Sequence, residues 1–191
     1  VIAPATFTDN CPGGTITNDY NGGGANASDT YPLGTTIVTF TATDATGLNT
    51  DQCSITVTVV DNEDPVITCP ADPTVNNDPG SCDAAIVIAP ATFTDNCPGG
   101  TITNDYNAGG ANASDTYPLG TTVVTFTATD ATGLNTDQCS ITVTVVDNED
   151  PVITCPADPT VNNDPGSCDA AIVIAPATFT DNCPGGTITN D

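Results

Sequence analysis

The sequence predicts an all-β chain: tandem antiparallel β-sandwich domains arranged end to end. Three observations predict it. First, the chain repeats itself. Of its 191 residues, 1–86 align with 87–172 without a gap, differing only at Gly22/Ala108 and Ile37/Val123, and 173–191 repeat 87–105 unchanged. The 86-residue period suits one small β-domain and exceeds the roughly 20–45 residues of most solenoid repeats. Second, apolar residues alternate with Thr at period two, and no window carries a helical period. Third, 16 Pro and 17 Gly punctuate the chain at short intervals.

The elements follow in order within one period. Residues 65–69, 74–76, 84–89, 101–105 and 114–117 are short strand candidates bounded by Pro and Gly. Residues 121–129 place Val124, Phe126 and Ala128 on one face and mostly Thr on the other. Residues 140–145 alternate in the same way, and Asp130-Ala131-Thr132-Gly133-Leu134-Asn135 joins the two runs as a hairpin connection. Seven or so short strands with frequent turns point to an immunoglobulin-like sandwich. An odd strand count would let the chain enter at one end of a domain and leave at the other.

Boundaries come from Val59-Val60-Asp61-Asn62-Glu63-Asp64-Pro65-Val66, which recurs at 145–152. A strand-like run ends, four acidic or amide residues follow, and Pro opens the next run, as in a short linker. The expected domains are 1–62 (its N-terminal part missing), 63–148 (complete) and 149–191 (its C-terminal part missing). The chain reads as a window on a longer array. The rival reading is a protomer whose ends are completed by a neighbour through strand exchange.

The core is thin, with four aromatics per domain: Phe93, Tyr106, Tyr117 and Phe126. Such domains need staples. The four Cys of a period, Cys69, Cys82, Cys97 and Cys139, allow three connectivities. The favoured one is Cys69–Cys82 with Cys97–Cys139, copied as Cys11–Cys53 and Cys155–Cys168, leaving the partner of Cys183 outside the sequence. No His and no C-x-x-C motif occurs, which disfavours zinc. Disulfides point to an oxidising, extracellular compartment.

Pro65-Val66-Ile67-Thr68-Cys69-Pro70, Asn77-Asp78-Pro79-Gly80-Ser81-Cys82, Thr94-Asp95-Asn96-Cys97, the run from Pro118 to Asp130 and the closing Cys139-Ser140-Ile141-Thr142-Val143-Thr144-Val145 together resemble the hyalin repeat (HYR) domain. The resemblance covers the whole period in order. It implies an immunoglobulin-like fold and an extracellular structural or adhesive role, secreted or at a cell surface, with no catalytic residues to carry over. The absence of Lys and Arg departs from the usual family pattern.

Charge narrows the function further. The chain has 24 acidic side chains, no Lys, Arg or His, and a formal net charge of −24. Nothing here neutralises phosphates, so nucleic acids and anionic membranes are not expected partners. No stretch is apolar enough to span a bilayer as a helix, so no membrane insertion is expected. No side-chain salt bridge is available, so each carboxylate must be solvated, hydrogen-bonded or bound to a cation. The runs Asp61-Asn62-Glu63-Asp64 and Asp147-Asn148-Glu149-Asp150 suggest Ca²⁺ at domain junctions, with Asp44 or Asp51 as helpers, because hard oxygen ligands suit that ion. No cofactor is otherwise required. No insertion forms a cleft that would hold two carboxylates in different environments, so no enzyme activity is expected.

Asn26-Ala27-Ser28 and Asn112-Ala113-Ser114 have the form of N-glycosylation acceptors, which would make the chain a glycoprotein. The Thr-rich outer faces suit β-propensity and solubility. The expected role is a structural repeat of an extracellular filament, self-associating or joined to neighbouring repeats. The alternative is the spacer stalk of a cell-surface adhesin whose binding domain lies elsewhere. The 84 identities in 86 positions favour a fibre, because identical copies make identical junctions.

Overall fold

The computed structural model describes residues 1–190. They form two compact units, Val1–Asn62 and Glu63–Asp191. All regular elements among the described residues are β-strands.

The second unit holds a full sandwich. Its strands are β4 (Val66–Thr68), β5 (Thr74–Asn76), β6 (Asp83–Ile86), β7 (Thr92–Thr94), β8 (Thr101–Asn104), β9 (Asp115–Pro118), β10 (Gly120–Thr129) and β11 (Thr136–Val146). One layer is a four-stranded sheet of order β5-β11-β10-β8. The other consists of two ribbons, β4–β7 and β6–β9. All pairings are antiparallel except β5–β11, which runs parallel. The strand count is eight, not seven. Thr92-Phe93-Thr94 adds the extra strand by pairing with β4 at Ile67↔Phe93, so the odd-count argument for entry and exit does not apply.

The alternation in β10 does what the pattern demands. Val124, Phe126 and Ala128 are fully buried, as are Ile141, Val143 and Val145 of β11. They meet Ile67, Ala84, Ile86 and Tyr117 from the ribbons. Fully burying one such large side chain is worth about 1.5–3 kcal/mol. Tyr117 stacks on Tyr106 with ring centroids 4.3 Å apart. Its hydroxyl donates to the Ala113 carbonyl at 2.6 Å, and burial pushes its phenol up to about 12.

Asn104 shapes the glycine-rich loop beyond β8. Its amide donates to Asn107 Oδ1, the Gly110 carbonyl and the Asn112 carbonyl, while its Oδ1 accepts from the N–H groups of Tyr106 and Asn107. Five bonds from one buried side chain fix a loop that has no core of its own. Within it Ala108 sits at φ 56°, where its copy is Gly22 at φ 65°. A left-handed alanine costs about 1–2 kcal/mol, partly offset by glycine's greater unfolded-state entropy. Ala108→Gly is therefore expected to raise stability by about 0.5–1 kcal/mol, read as a higher urea midpoint at unchanged slope.

The first unit has β1 (Thr15–Asn18), β2 (Gly34–Thr43) and β3 (Thr50–Val59) in one antiparallel sheet. Asn18 and the Tyr20–Tyr31 stack reproduce the Asn104 and Tyr106–Tyr117 geometry. No strands cover this sheet as β4, β6 and β9 cover the other among the described residues. Ile55, Val57 and Val59 are therefore only half-buried, where their copies Ile141, Val143 and Val145 are buried.

Beyond β11 the second unit continues into β12 (Val152–Thr154) and β13 (Thr178–Thr180), an antiparallel pair matching β4–β7 of the following repeat.

The cysteine pairing is corrected by the strand layout. Cys139 is joined to Cys69, not to Cys97, and Cys82 is joined to Cys183, not to Cys69. β4 packs beside β11, which brings Cys69 to a Cα–Cα distance of 5.9 Å from Cys139. Short loops favour nearby partners by entropy, but the sheet decides which cysteines meet. Cys11, Cys53, Cys155 and Cys168 are exposed thiols, so the expected Cys11–Cys53 and Cys155–Cys168 bonds are absent. Cys97 is half-buried.

Candidate functional site: the junction with the following repeat

The most constructed polar site lies where the sandwich meets residues 149–191. It begins with Asn77-Asp78-Pro79-Gly80-Ser81-Cys82, the turn between β5 and β6. Pro fixes one φ, and Gly80 takes the left-handed φ of 73° that the turn requires. The Asp78 N–H donates to the Asp83 carbonyl at 2.7 Å, and the Ser81 N–H to the Asp78 carbonyl at 3.0 Å. Asp78 Oδ2 accepts from the Ala85 N–H at 3.0 Å.

Buried Asn77 ties this turn to the end of β11. Its N–H donates to the Val146 carbonyl at 2.9 Å, and its Oδ1 accepts from the Asn148 N–H at 3.1 Å. Its amide donates to the Ser81 carbonyl at 2.8 Å. The linker then closes over the turn. Glu149 Oε1 accepts from the Gly80 N–H at 2.7 Å, and Asp147 Oδ1 accepts from the Glu149 N–H at 3.1 Å. A charged acceptor on a backbone N–H is one of the stronger hydrogen bonds available here.

The following repeat docks on the same turn. The Asn182 amide donates to the Ser81 carbonyl at 2.7 Å, so that carbonyl receives two amides. Next to it Cys183, itself buried, is bonded to Cys82 with the Cα atoms 4.9 Å apart. One side-chain hydrogen bond and one covalent bond thus fix a segment about 100 residues away in sequence, with Glu149 of the linker held on the same turn.

The structure separates the other candidate residues. Asp61 is buried, while Asn62, Glu63 and Asp64 are exposed. Asp147 and Glu149 are half-buried and engaged as described; Asn148 and Asp150 are exposed. Among the described residues, no group of three or more acidic or cysteine side chains gathers in a metal-holding arrangement. The helper candidates serve their own strands and turns. Asp51 Oδ1 accepts from the Gln52 N–H. Asp44 accepts from Asn49 Nδ2, the Thr46 hydroxyl and the Leu48 N–H, closing the β2–β3 hairpin. Asn26 and Asn112 are exposed, with Oδ1 accepting from the Ser28 and Ser114 N–H groups.

The Asn49 hydrogen bond, more than the others, lowers the Asp44 carboxyl to about 2. At its copy Asp130, burial pushes upward, but hydrogen bonds from Thr132, Asn135 and Gly133 leave the carboxyl below its ordinary value. A depressed carboxyl contributes stability above its unfolded value, near 4, and loses it as pH falls through the folded value. The Asp44 loop should therefore loosen on acidification from about pH 4 to 2, and the Asp130 loop should loosen as pH falls below the ordinary carboxylate value. A carbon-detected NMR titration should place Asp44 near 2; a midpoint near 4 would contradict the hydrogen-bond account.

Comparison with known proteins adds the family. Residues 60–145 match the HYR domain. This stretch is a HYR domain. It is 32% identical over 133 residues to hyalin of Strongylocentrotus purpuratus, a match covering 67% of this chain, and 30% identical over 157 residues to hyalin of Lytechinus variegatus, covering 80%. The matches span 11% and 28% of those two proteins. The extracellular cadherin domains 1–4 of protocadherin gamma B7 align at 17% identity and a TM-score of 0.42, over 89% of this chain and 48% of that one. The matched HYR segment runs from the end of β3 to β11, so it takes in the turn at 77–82 that receives the following repeat.

Proposed function

We propose that this HYR chain is structural material of an extracellular filament, in which each domain is fixed to the next. The observation that carries the reading is the junction: Asn182 and Cys183 of the following repeat seated on the turn at 77–82, with Glu149 of the linker across it. A flexible spacer has no need for such a seat. An array of near-identical repeats with one junction geometry propagates regularly. Its high negative charge would discourage unspecific bundling. The disulfides support an oxidising, extracellular setting, secreted or cell-surface. In this reading the chain has no catalytic role, and its partners are further repeats. Exposed Asn26 and Asn112 would take N-glycans in a host that makes them.

Electron microscopy of the native material tests it. Long uniform fibres with a regular axial repeat are expected. Short rods of fixed length on a cell surface would instead make the chain an adhesin stalk.

Calcium at the 61–64 and 147–150 runs is a separate proposal. At 147–150 a cation would share the Glu149 carboxylate with the Gly80 N–H, which bonds to Oε1. If Ca²⁺ helps hold the junction, chelation should lower its melting temperature by several degrees. An unchanged melt would mean that the seat is self-sufficient and would overturn the calcium proposal.

A further inference from the structure

We propose that the Cys82–Cys183 bond is one rung of a second covalent strand that runs through an array of these repeats and bypasses the peptide linkers. The inference rests on the structural reading above.

The argument is one of connectivity. Cys69–Cys139 spans 70 residues and closes a domain. Cys82–Cys183 spans 101 residues, more than the 86-residue period, so it must cross from one repeat to the next. Cys183 is the copy of Cys97, and Cys168 is the copy of Cys82. From Cys183 the backbone leads back 15 residues to Cys168, where the next rung would begin. Carried through the period, a path of rungs and 15-residue segments traverses the whole array. A second path uses the Cys69–Cys139 bonds and the segments between Cys139 and Cys155, which contain the linker. The two paths share no residue. Each has a taut length of about 50 Å per repeat, against roughly 300 Å for 86 unravelled residues. An array built so is almost inextensible and survives a cut in either path.

A second observation concerns the receiving turn. Residues 164–169 repeat 78–83 bond for bond: the Asp164 N–H donates to the Asp169 carbonyl at 2.7 Å, the Ser167 N–H to the Asp164 carbonyl at 3.0 Å, and the Ala171 N–H to Asp164 Oδ2 at 3.1 Å. This copy forms with nothing bonded to its cysteine, and Cys168 is an exposed thiol. The seat is preformed, which lowers the entropic cost of receiving another Asp-Asn-Cys loop. Each rung forms by loss of two protons and two electrons from a thiol pair to a disulfide-donating oxidant, through a mixed disulfide.

The chain contains only two Glu, Glu63 and Glu149. A Glu-specific protease, used after thiol alkylation and analysed under denaturing conditions, therefore cuts between the rung's two cysteines at the linker. Fragments 64–149 and 150–191 should stay joined, part on adding a dithiol, and map to Cys82–Cys183 by mass spectrometry. In Cys82→Ser they should part without reductant. Release of 150–191 from the unreduced native chain, or a link through other cysteines, would overturn the proposal. The proteolysis result is independent of whether microscopy shows fibres, so failure of the rung and failure of the filament reading are distinguishable.

Discussion

Cys139→Ser is expected to cost the HYR domain about 4 kcal/mol, the loop-entropy value for releasing a closure of 70 residues. Domains of this size hold about 5–15 kcal/mol in all. The loss should therefore move the domain close to unfolding at physiological temperature. The bond matters this much because it ties β4, a strand of three residues, to the central strand β11. Calorimetry should show a fall in melting temperature of well over 10 °C, at about 4–8 °C per kcal/mol for a domain of this length. An unchanged melt would mean that Cys69 and Cys139 do not pair.

Phe126→Ala is the second large effect. Phe126 is fully buried, paired across the sheet with Cys139 on one side and Asn104 on the other. Losing its ring removes transfer energy and leaves a cavity between the sheet and the ribbons, at about 3–5 kcal/mol. The equivalent change in the first unit, Phe40→Ala, should cost less. Among the described residues, Phe40 shares its buried cluster with Ala27 and Val38 alone, so less packing is lost. Denaturant midpoints of the two variants test the ranking, and equal losses would contradict it.

The contrast between these residues shows what the sequence made legible. Alternation in 121–129 and 140–145 announced the two long strands and their inward faces, because burial on one face of a pleated strand forces period two. Thr92-Phe93-Thr94 was missed. Three residues carry no period, and their strand exists only because β4 lies alongside. The acidic run 147–150 was visible as a linker with a special role. That role was read as cation binding; the bond from the Gly80 N–H to Glu149 was not foreseen, because it joins residues 69 apart in sequence. Cysteine partners were not legible at all. The favoured pairing stayed within one repeat, and no local rule could anticipate that Cys82 reaches into the next one.

Stretching single chains between residues 1 and 191 tests most directly whether disulfides fix the repeats against extension. With both bonds intact, the shortest covalent path leaves the backbone at Cys82 and rejoins it at Cys183. That path holds about 90 residues, so extension should stop at roughly 300 Å. Adding a dithiol should then release about 100 further residues, roughly 350 Å. Extension of the unreduced chain to its full backbone length of roughly 660 Å would contradict the account.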